Sequence, residues 1–305
     1  MYFSYLQGNR SGKTHYGHAH DHEKTWAVIA ACAVSIVVLA GFLTHRVFNH
    51  VAAIETPVVQ MSSLIPRAPE PITPAIVPVV TDNKKLQDEI NAWIASQKGS
   101  DWGVSVRSVY DDSVNAHYNR DKQFETASVY KAFLVLPLAT KIPASSWQTT
   151  KLNEKQSYAE CLDLALRMSN NACGEGIARA LGWKYIDQVL YKAGYTGTKF
   201  NRKDYIATTP ADTTLLFSNL YKGVGFDKAT REFALKSLAP AKNPEAIRRA
   251  CSGCEVYNKW GEFNGMKNDA AIVTKDGKTY VIAIFSKNST WPKVTELAGV
   301  ITRNL

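Results

Sequence analysis

Ser128-Val129-Tyr130-Lys131 sets a hydroxyl and an amine three residues apart. If Ser128 opens a helix, Lys131 lies one turn on, on the same face and within reach of that hydroxyl. A serine alcohol is a weak nucleophile until something accepts its proton. A lysine made less basic by burial can do so, and a helix N-terminus favours the oxyanion that develops on the attacked group. Alone the S-x-x-K pattern says little, because a serine cap followed by a lysine opens many helices.

Two further patterns give it company. Met168-Ser169-Asn170-Asn171 stands between a helix ending near Arg167 and one running 172–181. Ser169 can relay a proton to a leaving group, and the Asn171 amide can hold a substrate carbonyl. The same residues can equally be caps in a helix–helix turn. Lys259-Trp260-Gly261 closes the strand-like VYNKWG. A lysine there adds positive charge beside Ser169, and Gly261 lets a substrate backbone lie along the strand. Each signal is weak separately. The ordered set S-x-x-K, S-x-N, K-x-G on helix, turn and strand is specific.

The elements that must position these groups follow from periodicity. Asp82 to Ser96 carries Leu86, Ile90, Trp93 and Ile94 at helical spacing. Strand-like segments cover 102–110 and 113–118, joined at Asp111-Asp112, and a largely helical stretch runs from Ser128 to Leu220 with breaks. Strands return at 255–261, 268–275 and 278–286, the last two joined by the hairpin signal Asp276-Gly277, and Pro292 opens a final helix to Arg303. The expected fold is α+β: a five-stranded antiparallel sheet flanked by terminal helices, with a helical lobe inserted.

Residues 83–305 resemble the class A β-lactamases and their penicillin-binding relatives. FETASVYKAFLV is similar to that family's nucleophile helix, MSNNACGEGIARALG to its S-D-N turn and following helix, and IATTPAD to its T-T-P helix start. MKNDAAIV and YVIAIFS are similar to its paired core strands. The resemblance implies an acyl-enzyme on Ser128, with Lys131 as proton acceptor, Ser169 as proton shuttle and Lys259 assisting. Asn171 would position substrate, and the N–H groups of Ser128 and Glu262 would form the oxyanion hole. The implied substrates are β-lactams or D-Ala-D-Ala-type peptides of peptidoglycan. No ligand cluster supports a metallohydrolase, and no cofactor is expected.

Several residues depart from the family pattern. Asn170 replaces the acid of S-D-N, and Trp260 cannot offer the hydroxyl that binds a substrate carboxylate. Glu262 stands where a small hydroxyl residue is usual, leaving Lys267 as the candidate counter-ion for that carboxylate. The family's loop also supplies a Glu, in a Glu-x-x-Asn pattern, that activates the deacylating water. The corresponding GYTGTKFNRKDYIAT at 194–208 has only Asp204. The expectation is slow deacylation, as in a D,D-peptidase, unless Asp204 substitutes. A non-catalytic wall-binding relative is the alternative from another class.

The N-terminal third has a different character. Residues 26–43 (WAVIAACAVSIVVLAGFL) carry no charge; as a helix they reach roughly 27 Å, close to the thickness of a hydrocarbon core. We read 1–25 as a cytoplasmic tail, 26–43 as a single transmembrane anchor, 44–82 as a proline-rich spacer and 83–305 as an extracytoplasmic catalytic domain. A cleaved signal peptide is the rival reading of the apolar run. Arg10, Lys13 and Lys24 precede that run and only Arg46 follows it closely, which places the N-terminus inside. His15, His18, His20 and His22 read as solvated tail rather than as a metal site. Residues 1–82 carry five basic and five acidic residues, so the net charge of +9 belongs wholly to 83–305. That excess is spread without a basic run or aromatic interleaving, so nucleic acid is not an expected partner. Cys251-Ser252-Gly253-Cys254 can be a redox couple, half of a zinc site or a local disulfide, and outside a membrane a tight disulfide is the favoured reading; Cys161 and Cys173, on either side of the S-x-N turn, could also pair. Cys32 reads as a small apolar residue of the anchor.

Overall fold

The computed structural model describes residues 82–111, 113–240 and 246–305. The expected anchor, nearly all of the spacer, the histidine tail and Cys32 lie outside the described residues. Among those described, no helix is long and apolar enough to cross a membrane.

In chain order the elements are α1 (Asp82–Ala95), β1 (Asp101–Ser108), β2 (Asn115–Tyr118), β3 (Phe124–Glu125) and a 3-10 turn at Ala127–Val129. Next come α2 (Tyr130–Phe133), α3 (Val135–Lys141), α4 (Tyr158–Arg167), α5 (Asn171–Leu181), α6 (Trp183–Lys192) and β4 (Ala207–Thr208). The chain closes with α7 (Pro210–Lys222), α8 (Lys228–Leu238), α9 (Ala246–Ala250), β5 (Glu255–Phe263), β6 (Met266–Lys275), β7 (Lys278–Lys287) and α10 (Trp291–Arg303). One sheet has the order β2-β1-β7-β6-β5 with every neighbour antiparallel. Its first and last strands in sequence are therefore brought together by the central β1–β7 pair. A second, two-stranded sheet pairs β3 with β4 and was not legible from periodicity.

Alternation along the strands divides the apolar residues between two cores. Val281, Ala283 and Phe285 of β7 face the helical lobe, with Phe133, Leu138, Leu162 and Ile177. Ile282 and Ile284 face the other way, against Leu86, Ile90 and Ile94 of α1 and Val294, Leu297 and Ile301 of α10. A strand buried on both faces reads as a continuous apolar run, as YVIAIFS does. The expected α+β architecture is thus the observed one.

Turn chemistry fixes the register near the site. Asp276 and Gly277 both have positive φ, as a two-residue hairpin requires. Asn264 and Gly265 do the same between β5 and β6. This second hairpin extends both strands beyond their expected ends at Gly261 and Asn268, and sets Glu262 opposite Lys267. The favoured disulfide Cys251 to Cys254 is present, and Cys161 and Cys173, whose pairing the sequence left open, are also bonded; the Cα separations are 5.5 and 4.8 Å. The second ties α4 to α5 across the S-x-N turn.

Candidate active site

Ser128 lies in the 3-10 turn ahead of α2 rather than inside a regular helix. Ala127 before it has φ +45°, and Ser169 has φ +57°. A non-glycine residue in this region costs about 1–3 kcal/mol and persists only where its surroundings hold it. Here the strain sits on both sides of the reacting groups. The turn is held by the hydrogen bond from Thr126 N to Ile206 O and by Asn268, whose buried amide donates to Glu125 O.

Lys131 is fully buried, and its Nζ donates to Ser128 Oγ at 2.9 Å, Ser169 O at 2.6 Å and Asn171 Oδ1 at 2.7 Å. Burial pulls its pKa down to about 8, against a smaller upward pull from the Glu175 carboxylate. About a tenth of the lysine is then neutral at pH 7 and competent to take the serine proton. Gly174 makes this position possible. A Cβ there would stand 2.8 Å from Lys131 Cε, so α5 packs against the lysine only without a side chain.

Ser169 joins the two lysines. Its Oγ accepts from Lys259 Nζ at 2.9 Å and lies 3.4 Å from Lys131 Nζ. Lys259 also donates to Trp260 O at 2.6 Å. Burial, and then the positive charge of Lys131, hold its pKa well below the usual lysine range. Asn170 does structural work: its Oδ1 accepts from Cys173 N and caps α5, a role that needs an acceptor but no charge.

Gly261 lies against the nucleophile turn. A Cβ on it would come within 2.6 Å of Ser128 N, 2.9 Å of Thr126 O and 3.0 Å of Val129 N. The glycine lets the edge strand β5 press against the nucleophile turn. Lys267 departs from expectation. Its Nζ is 2.9 Å from Glu262 Oε1, and Glu262 Oε2 accepts from Trp291 Nε1 at 2.7 Å. The cation expected to meet a substrate carboxylate is therefore engaged by its cross-strand neighbour. Trp260 packs edge-on against Trp291 with ring centroids 6.2 Å apart, filling space beside Lys259.

Over Ser128 lies an open cavity of about 390 Å³, lined by Tyr130, Asn171, Glu262 and Phe263 among others. Four carboxylates line it: Glu125, Glu175, Asp204 and Glu262. Asp204, the only acid of the 194–208 segment, is exposed and sits 3.4 Å from Arg202. Glu175 was not singled out from the sequence. Its signal was its position four residues after Asn171, on the same face of α5. No group of three His, Cys, Asp or Glu among the described residues is placed to hold a metal ion.

The model of the Beta-lactamase enzyme family matches residues 85–145 and 141–305. The chain belongs to the beta-lactamase enzyme family. It is a class A β-lactamase-like serine hydrolase, as the three motifs implied. PBP-A is similar in structure, with a TM-score of 0.64 at 18% identity, covering 72% of this chain and 94% of that one. A β-lactamase from Sphaerobacter thermophilus gives 0.61 at 19% identity, over 72% and 95% of the two chains. A TLA-1 extended-spectrum β-lactamase variant gives 0.66 at 18%, over 73% and 98%. At these identities the structural likeness speaks for the fold. No curated protein matches.

Proposed function

We propose that this enzyme takes an acyl group from a β-lactam or a D-Ala-D-Ala-type wall peptide onto Ser128, and that residues 26–43 tether it with the catalytic domain outside the membrane. The observation that carries the catalytic part is the continuous set of hydrogen bonds from Ser128 Oγ through Lys131 to Ser169 and on to Lys259. Neutral Lys131 takes the proton as Ser128 Oγ attacks the acyl carbon. The N–H groups of Ser128 and Glu262 receive the oxyanion. Ser169 then delivers a proton to the leaving nitrogen and recovers one from the lysines on either side of it. Asn171 binds Lys131 through Oδ1, which leaves its NH₂ free to donate to a substrate carbonyl.

The tether rests on the uncharged run at 26–43 and the spaced prolines that follow it. A PBP-A mutant is known as an acyl-enzyme complex with penicillin G, and penicillins are the natural first probe here. A non-catalytic wall-binding relative has no use for two buried lysines sharing one serine. Labelling with a fluorescent penicillin, in competition with a D-Ala-D-Ala peptide, tests the reading. Covalent labelling that the peptide suppresses is expected. A chain that neither penicillin nor peptide occupies would remove the acyl-transfer reading.

A further inference from the structure

Hydrolysis of an ester on Ser128 needs a base for the attacking water, and the loop expected to supply one has only Asp204. Of the four carboxylates around the cavity, Glu262 and Glu125 are held from other segments, while Asp204 and Glu175 each pair with an arginine of their own segment. Glu262 is held by Lys267 and by Trp291. Asp204 faces Arg202, and Glu125 is hydrogen-bonded by the Asn264 side chain and lies near Lys287. Glu175 differs in position. It is one helical turn beyond Asn171, next to Gly174, against which Lys131 packs, and it lines the cavity together with Ser128. Its ion pair with Arg179 at 3.3 Å is comparable with that of Asp204, and its side chain is half-exposed at the cavity. Its charge favours the protonated form of both Lys131 and Tyr130, though burial weighs more on each.

We infer that Glu175 is the general base of deacylation, a role the loop residues leave vacant, on the reading that Ser128 carries the acyl group. Water in the cavity gives its proton to the Glu175 carboxylate as its oxygen bonds to the ester carbon, and the carbonyl electron pair moves to the oxyanion. When that pair returns, the bond from carbon to Ser128 Oγ breaks. Oγ takes a proton from Lys131, which regains it from Glu175, and the product leaves as the free acid. Arg179, one turn further along α5, steadies the carboxylate between turnovers. This helix-borne base makes turnover by water an activity of the enzyme, against the slow deacylation expected from the loop alone.

The test follows acylation and deacylation separately on the full chain with benzylpenicillin, by intact mass, for wild type, Glu175→Gln and Asp204→Asn. Glu175→Gln should acylate at close to the wild-type rate, which also certifies its fold. Its adduct should persist about 10²–10⁴ times longer, the usual worth of general-base assistance. Asp204→Asn should decay like wild type. An adduct on Glu175→Gln that clears at the wild-type rate overturns the inference and leaves the acyl-enzyme standing. Slow clearance by Asp204→Asn alone assigns the base to the loop instead. No adduct on wild type overturns the acyl-enzyme reading, and this inference falls with it.

Discussion

Gly261→Ala places one methyl group against the nucleophile turn, and its effect can be worked from the geometry. The added Cβ would stand 2.6 Å from Ser128 N, with Thr126 O and Val129 N also within 3.0 Å. All three are backbone atoms, so no flexible side chain can yield. Restoring an ordinary contact of 3.4 Å requires about 0.8 Å of separation between β5 and the Ser128 turn. That motion carries Ser128 N away from β5, and so away from the N–H of Glu262, its proposed partner in the oxyanion hole. Misplacing reacting groups by about 1 Å costs roughly 10²-fold in rate, and removing one oxyanion donor costs about 10²–10³-fold. Overpacking costs about 1–3 kcal/mol of stability in addition. Stopped-flow acylation with a chromogenic cephalosporin should therefore fall about a hundredfold, with a lower denaturation midpoint in urea. A variant that acylates within about twofold of wild type at unchanged stability would show that β5 and the turn are not in the contact described.

Further outcomes follow from the same geometry. The acylation rate should rise about tenfold per pH unit and level off near pH 8, because only neutral Lys131 accepts the serine proton and its pKa is about 8; a stopped-flow pH profile flat from 6 to 9 would exclude it as the base. Glu262→Gln should free Lys267 for a substrate carboxylate and speed acylation by an anionic penicillin about two- to fivefold, the worth of one ion pair near the surface, with the gain shrinking at high salt. Replacing Cys161 and Cys173 by serine should lower stability in urea by about 3 kcal/mol, the loop-closure value for a short loop, loosening the S-x-N turn they flank. Protease added to intact spheroplasts should clip the catalytic domain from its anchor; full protection would reverse the proposed orientation.

Ser128, Lys131, Ser169, Asn171 and Lys259 were legible because each stands within one turn of a pattern whose chemistry fixes its partners. The sheet was legible because YVIAIFS and MKNDAAIV can be buried only between two layers. What escaped the sequence depended on register or on facing. Glu262 meets Lys267 only once Asn264-Gly265 is seen to be a two-residue hairpin, a signal as plain as Asp276-Gly277 but hidden inside a segment read as loop. Glu175 emerged only when Asn171 showed which side of α5 faces the cavity. The contact of Gly261 with the Ser128 turn was not legible, because nothing local tells a strand which part of its own chain lies against it. The short β3–β4 pair was invisible for a similar reason, since two residues carry no period.

The most direct test of the central claim is to locate the adduct. The protein is treated with benzylpenicillin, quenched in acid within seconds and digested, and the modified peptide is sequenced by mass spectrometry. One acyl group per chain on Ser128 is expected, with none on Ser128→Ala, whose denaturation midpoint should match wild type because only a hydroxyl is lost. An adduct on another residue, or one that persists in Ser128→Ala, would contradict the account.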